Sequence, residues 1–518
     1  MRSGRGRPGL SRPAASPRGF RGSFRTDPNT LAAHCGAAGP FRIDPTAVAV
    51  PADAEDVRTL VAWAAREGIP VIPRGAATGM PAGNVGPWLA VDLMPGLGAI
   101  ESVDRERATI RCGAGAVAAA VARAAAPAGL LLPCLPSSAE RCTIGGMAAN
   151  NAAGARSFRH GATREWVTGL DVVWADGTRS TIGDGAEPPA GMRALAAGLT
   201  ARLGDVRDQG WPGVRKNSSG YALDRFLPDA DAVHLMVGSE GTLGIIVGAT
   251  LRLMRAPAER AVILIGLRSL DAIPEAAMIA TEAGASACEL FGRRLIEMAG
   301  LAVDPVARDA AEGAVALVLI ELEGEADQVA SGLARVRLWT TAEGLCSVEA
   351  RDEEGRARLW EVRHAASPLI ARAAEQGRLS SQFIEDSVVP VGTVPDYLRG
   401  LDRILEQAGT EAVVFGHAGD GNIHVNPLVD VRTPDWRGRV RTILEETVDL
   451  VAELGGTLTG EHGDGRVRAP FLDRIWTPQL VAAFRDVKES LDPAGLMNPG
   501  VILPLPGQDP LEGMWPGS

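Results

Sequence analysis

No stretch of this 518-residue chain stays apolar for the ~18–20 residues a membrane-crossing helix needs. The longest candidate, 116–132, is broken by Arg123 and Pro127. Cysteine is scarce: Cys35, Cys112, Cys134, Cys142, Cys288 and Cys346 stand at irregular intervals without a C-x-x-C pair. That spacing fits neither a disulfide framework nor a cysteine-ligated zinc or iron–sulfur centre, and predicts reduced thiols in a cytoplasmic compartment. Lysine is nearly absent, with only Lys216 and Lys488, which we read as coding bias. A formal net charge of −11 argues against nucleic acid as the main partner, since phosphate binding needs a basic face.

What remains is globular composition, too long for one ordinary core. Residues 1–39 begin with seven arginines in 25 positions and no apolar run after them, so they read as a flexible basic tail rather than a secretory signal. Alternation at Ala47–Val50 predicts a strand, Ala54–Glu67 a helix ended by Gly68, and Val71–Pro73 a second strand. Small residues dominate to about 255. From 256 the texture changes to alternating helices (270–283, 327–341, 359–374) and strands (261–267, 314–322, 382–389), an α+β pattern. The expected division is a first domain over 40–255 and a second over 256–470. A closing helix and segment follow over 471–505, returning to the first domain, with a loose tail at 506–518.

Four segments of the first half share one character: PRGAATGMPAG (73–83), LPSSAERCTIGGMAANNAAGARSFRHG (135–161), KNSSGYALD (216–224) and GSEGTLGIIVG (238–248). Each offers small residues and hydroxyls where backbone N–H groups can approach a ligand, and runs of such groups suit a diphosphate. Residues 112–118 also match G-x-G-x-x-A. No acidic residue follows at the distance a dinucleotide ribose requires, so this turn reads as strand-to-helix packing.

The second half carries the histidines. In VVFGHAGDGNIHV (413–425), Asp420-Gly421 is a preferred two-residue hairpin turn. Closing there would set His417 directly opposite His424, with Cβ atoms ~4.5–5.5 Å apart. Two such imidazoles can share a divalent cation through ~2.0–2.1 Å bonds. TGEHGDG (459–465) supplies a carboxylate and a third imidazole. Adjacent residues of an extended chain point apart, so Glu461 is assigned to the metal with His417 and His424. His462 is left as general base, its ordinary pKa of ~6.5 suiting proton abstraction. Zinc is the first choice of metal, manganese or iron the alternatives.

These segments, with LDPAGLMNPG, stand in the same order as in the FAD-linked 2-hydroxy-acid dehydrogenases of the vanillyl-alcohol-oxidase type, which the chain resembles over about residues 40–503. That group includes glycolate, D-lactate and D-2-hydroxyglutarate dehydrogenases. The resemblance implies a two-part FAD-binding domain of the PCMH type plus an α+β substrate or cap domain. It implies that Arg74, Gly75, Ala76, Ala77, Thr78, Gly79 and Gly83 cradle the FAD diphosphate. Ser137, Ser138, Thr143, Gly145, Gly146, Asn150 and Gly154 would follow the flavin and ribityl chain, and Glu240, Gly244 and Ile245 the flavin or adenine end. With no His or Cys beside the first glycine loop, FAD is expected to be non-covalent. The resemblance further places Asn426 on the substrate, and Arg363 with Ser367 on its carboxylate through the W-x-x-R element at Trp360.

Some positions depart from the family pattern. Ala82 stands where glycine is common and Leu135 where aspartate is. The run 383–387 reads FIEDS where relatives often carry a substrate lysine in a K-Y-D strand. The FIED form resembles the bacterial branch often fused to an iron–sulfur module, so an iron–sulfur or other electron acceptor is expected on a separate protein. The activity implied is oxidation of a 2-hydroxy acid, D-configured, to the 2-oxo acid, with hydride passing to flavin. A flavin oxidase using dioxygen, a flavin-free metallohydrolase and a non-catalytic electron-transfer subunit are the alternatives.

Overall fold

The structure is a computed structural model describing residues 15–189, 191–301, 307–364, 366, 369, 370, 372, 378–380 and 382–515. Among these, the strands gather into three larger sheets and one two-stranded ladder. The first sheet orders Ser23–Arg25, Ala47–Val50, Leu89–Asp92 and Val71–Arg74, the last three parallel. Helix Ala54–Glu67 covers it with Val57, Leu60, Val61 and Ala64. The Asp53 carboxylate caps the first turn, accepting from the N–H groups of Glu55 and Asp56, and Gly68 at φ 66° ends the helix.

Residues 15–39 correct the expectation of a flexible tail. Ser23–Arg25 pairs with Ala47–Val50, and Pro28–His34 is a helix capped by Asp27. Arg21 donates to Asp53 at 2.5 Å and to Asp56 at 3.2 Å. Arg21 looks unpaired in the local sequence because its acids lie more than 30 residues downstream. Residues 1–14 fall outside the described part.

The second sheet is antiparallel, in the order Thr109–Gly113, Gly244–Arg252, Val167–Trp174, Arg179–Gly183. At the G-x-G-x-x-A turn a Cβ on Gly113 would lie 2.1 Å from the Leu97 carbonyl oxygen, and one on Gly115 2.5 Å from that of Leu93. Those glycines let two chains cross.

The third sheet has eight antiparallel strands. Seven run Ser347–Ala350, Glu259–Leu267, Ala316–Gly324, Ala285–Gly292, Glu411–His417, Asn422–Asp430, Arg378–Ser380, and Ser387–Val388 also pairs with Asn422–Asp430. Helices Ile273–Glu282, Ala326–Ala342, Val394–Gln407 and Trp436–Glu453 cover one face. Helix Glu353–His364 covers the other, burying Leu359 and Val362 against Val413, Phe415 and Leu428. That second face also carries buried Glu289, Glu321, His417, His424 and Asn426. The expected strand 382–389 is corrected: only Ser387–Val388 pairs, and residues 383–386 form a bend and turn.

Helix Pro478–Leu491 buries Leu480, Val481, Phe484 and Val487 in the core of the first half beside Tyr221 and Trp476. The chain then runs alongside Val71, whose N–H donates to the Leu496 carbonyl and whose carbonyl accepts from Asn498, each at 2.9 Å. The tail expected at 506–518 is also tied down as far as 515. Leu511 and Met514 are buried, and Met514 bridges to Phe41.

Candidate active site

A cleft enclosing about 1290 Å³, open mouth included, runs between the first two sheets toward the third. Its walls include Arg74, Gly75, Ala76, Ala77, Thr78, Gly79, Gly83, Ser137, Ser138, Thr143, Gly145, Gly146, Asn150, Glu240, Gly244 and Ile245. Gly154 is not on the wall. Its missing Cβ would sit 2.1 Å from the Leu135 carbonyl oxygen, so it serves close packing behind the wall. Ala77 and Ala82 hold φ of 58° and 60°, which suits glycine better than alanine. The inner end of the cleft is formed by Glu461 and His462.

KNSSGYALD does not line the cleft, contrary to the expectation for all four small-residue segments. It braces the loop that carries Glu461. Ser218 donates from N to the Thr459 carbonyl at 3.0 Å and from Oγ to that of Gly460 at 2.8 Å, and Gly220 N donates to Asp464 at 2.8 Å. Opposite it, Glu240 clasps the same loop, accepting from the N–H groups of Asp464 at 2.7 Å and Gly465 at 3.0 Å. Burial and the Asp464 carboxyl push Glu240 up to about 8.

The hairpin register differs from the one expected. Its connection is the four residues 418–421, with Gly421 left-handed, so His417 pairs with Asn422 and His424 with Phe415. The slip moves the partner by two residues, and because side chains alternate with period two it leaves both imidazoles on one face. They meet diagonally, Nε2 to Nε2 at 3.3 Å. Glu461 Oε1 lies 3.4 Å from each of those nitrogens.

The tautomers follow from the outer partners. His417 Nδ1 donates to Glu289 Oε1 at 2.6 Å, and His424 Nδ1 to the Glu385 carbonyl at 2.7 Å. Both Nε2 lone pairs therefore converge, with a carboxylate oxygen, on one point. Burial disfavours charge on His417, yet Glu289 raises it to about 9. Glu461 is held well below the usual carboxylate range: burial opposes this, but Lys216 and His417 outweigh it. A proton on His417 Nε2 supplies the positive charge that His424 Nε2 and Glu461 Oε1 call for; a divalent cation that displaced it would meet three acceptors.

The loop at 460–463 is bent, which corrects the extended segment expected there. Asp386 Oδ2 accepts from Thr459 Oγ1 at 2.6 Å and from the N–H groups of Gly460, Glu461 and His462 at 3.0, 3.0 and 2.9 Å. Glu461 thus turns inward while His462, the most exposed of the three imidazoles, faces the cleft. His462 Nδ1 lies 3.2 Å from Glu385 Oε1, which also accepts from buried Arg468 at 2.6 Å. That contact leaves Nε2 as the acceptor. Asp386 also lies close to the imidazoles, but its oxygens are filled by these donors and by Asn422 Nδ2 at 2.9 Å, so it staples the loop.

Arg363 sits 3.1 Å from Glu289 Oε2 with its guanidinium 4.3 Å from the centre of the Phe415 ring. It does not line the cleft. Ser367 lies outside the described residues. Asn426, two positions beyond His424 on the same face, accepts at Oδ1 from Gln382 at 3.3 Å and Ser380 at 3.4 Å. Its buried Nδ2 has no partner among the described residues. Sequence reasoning missed Lys216, Glu289, Glu385, Asp386 and Arg468. Two traces were in view: the FIED run, which reads as a departure rather than a source of two buried acids, and KNSSGYALD, which opens on Lys216.

Two family profiles match the chain: "FAD binding domain" over residues 45–183 and "FAD linked oxidases, C-terminal domain" over 256–502. A D-lactate dehydrogenase of Archaeoglobus fulgidus is 30% identical over 88% of this chain and 91% of its own length. A D-2-hydroxyglutarate dehydrogenase of Xanthomonas citri is 30% identical over 88% and 89%. The chain belongs to the FAD-linked 2-hydroxy-acid dehydrogenase family. It is an FAD-dependent oxidoreductase of the glycolate, D-lactate and D-2-hydroxyglutarate dehydrogenase type. A glycolate oxidase subunit GlcD of Bacillus subtilis is 28% identical over 88% of each chain. Among solved structures, a 4-ethylphenol oxidase of Gulosibacter chungangensis superposes with a TM-score of 0.68 at 16% identity, covering 95% of this chain and 94% of that one. The fold of the dehydrogenase is thus the two-domain FAD-binding type of the vanillyl-alcohol-oxidase family.

Proposed function

We propose that this dehydrogenase oxidises a D-2-hydroxy acid to the 2-oxo acid, with His417, His424 and Glu461 holding a divalent cation. One observation carries the reading: His417 Nε2, His424 Nε2 and Glu461 Oε1 stand 3.3–3.4 Å apart, at the inner end of the cleft. Bonds of ~2.0–2.1 Å around a tetrahedral centre put donors about 3.4 Å apart. The donor set of two neutral imidazoles and one carboxylate suits zinc, with manganese or iron as alternatives.

The remaining residues divide the work. The small-residue walls at 73–83, 137–150 and 240–245 bind FAD without a covalent bond, leaving backbone N–H groups to meet its diphosphate. His462, oriented through Nδ1 by Glu385, takes the substrate hydroxyl proton at Nε2. Asn426, whose Nδ2 has no partner among the described residues, orients the carboxylate, and Glu289 holds both Arg363 and His417. Bound FAD would supply a hydride acceptor, and a cation held by His417, His424 and Glu461 would supply positive charge beside the substrate oxygen. Five of the six unpaired thiols are buried, which supports a reducing compartment, the cytoplasm. A separate protein, iron–sulfur or otherwise, takes the electrons onward.

Anaerobic mixing with D- and L-lactate, D- and L-2-hydroxyglutarate and glycolate tests the reading. Flavin absorbance should bleach with a D-acid or glycolate, and reoxidise slowly in air. Rapid reoxidation by dioxygen would make the protein an oxidase, and no bleaching with any acid would defeat the proposal. Removing divalent cations should abolish bleaching while FAD stays bound.

A further inference from the structure

We propose that Lys216 is a positioning residue for Glu461: its ammonium holds one carboxylate oxygen aside, so that only the other faces the imidazoles. The inference rests on the cation site proposed above. Lys216 Nζ lies 2.5 Å from Glu461 Oε2, while Oε1 makes both 3.4 Å approaches to His417 and His424. The two oxygens of one carboxylate are thus committed to different partners.

The ammonium is itself fixed. It donates to Asn422 Oδ1 at 3.2 Å, and Asn422 is anchored through Nδ2 to Asp386 at 2.9 Å. The Ser218 bonds to Thr459 and Gly460 lock the two chain segments in register. Lys216 is buried, with 6% of its surface exposed. A lysine recruited to cover apolar surface lays its methylenes inside and lifts the ammonium into water. Here the ammonium instead meets buried Glu461 and Asn422, and Lys216 also lines a cavity with polar groups such as Asn151, Ser157, Asn217 and Asp420. Burying a lone ammonium is unfavourable unless a paired charge offsets it, and Glu461 is that pair.

The consequence concerns the space left for substrate. A carboxylate with both oxygens free can turn the pair toward the imidazoles and occupy the room that a chelating hydroxy acid needs. With Oε2 held by Lys216, one oxygen is presented and the remaining positions stay open.

Two measurements on FAD-loaded protein test this: the affinity of the cation-stripped form for Zn²⁺, and KM and kcat with whichever of D-lactate or D-2-hydroxyglutarate bleaches the flavin. Lys216→Met should bind Zn²⁺ at least as tightly as the native protein, because a neighbouring positive charge is lost and a second oxygen released. KM should rise tenfold or more, within the 10–100-fold span usual for groups that orient metal ligands. Lys216→Arg should restore KM to within about threefold. An unchanged KM in the Met variant, or loss of its Zn²⁺ affinity, would overturn the proposal. If the Met variant loses FAD, Lys216→Ala carries the same test, since it also removes the donor that holds Oε2. Glu461→Ala separates the two readings: if it binds Zn²⁺ as tightly as the native protein, the cation site itself is wrong, whatever Lys216 does.

Discussion

Along the cleft from Arg74 to Ile245 the wall is largely main chain and small side chains, and among the described residues Arg74 and Glu240 are its only charged ones on that stretch. At the inner end the reverse holds. His417, His424, Glu461 and His462 are each held by a charged or polar group from another segment: Glu289, the Glu385 carbonyl, Lys216 and Glu385. A surface of main-chain donors tolerates changes of side-chain chemistry but not of volume. A cluster of converging charges tolerates changes of volume less critically than loss of a partner.

Three substitutions would break or sharpen that contrast. The largest effect is expected of His462→Ala, which should lower turnover roughly a hundredfold or more, the usual scale for a lost general base. Flavin absorbance and FAD content should stay as they were, and unchanged turnover would reject His462 as the base. A smaller effect of the opposite kind is expected of Gly145→Ala. Its Cβ would fall 2.6 Å from that of Ala114 and 2.9 Å from the Ala114 carbonyl oxygen. Overpacking of this sort costs about 1–3 kcal/mol. The prediction is a lower melting temperature and weaker FAD binding, with turnover per bound flavin preserved.

The smallest effect lies in neither region but where the halves meet. Glu323 accepts from His160 at 2.6 Å and from Arg260 at 3.0 Å, joining the first half to the large sheet. Burial alone would raise its carboxyl, but those hydrogen bonds outweigh it and hold the group down at about 2, below its ordinary 4.5. A depressed folded value means a stabilising contribution that is complete above about 4.5 and is lost as pH falls toward 2. Glu323→Gln should therefore destabilise the protein by about 1–3 kcal/mol near neutral pH. The gap in melting temperature between variant and native protein should narrow below about pH 4.5. A constant gap would show that its charge is not what joins the halves.

Much of the fold could be read locally. Ala47–Val50 and Ala54–Glu67 lie where alternation and a terminal glycine put them. The small-residue walls were legible because a surface of main-chain donors demands that composition. The hairpin was legible in its face but not in its register, since a two-residue slip preserves the side on which each imidazole projects. FIED misled because its strand-like composition hides Asp386, whose carboxylate takes three main-chain donors from a loop some 75 residues away. Lys216 was dismissed with the general scarcity of lysine, and KNSSGYALD was grouped with the cleft because bracing a loop and cradling a ligand use the same small residues.

The sequence by itself determined the elements, the small-residue wall and the identity of the three imidazoles, because each rests on periodicity or composition within a dozen residues. Only the tertiary structure decided which nitrogen of each imidazole faces inward, which oxygen of Glu461 is spoken for, and that 15–39 and 506–515 are parts of the body. Those outcomes depend on partners such as Glu289, Glu385, Lys216 and Phe41, and pairing across such separations is set by packing rather than by any local pattern.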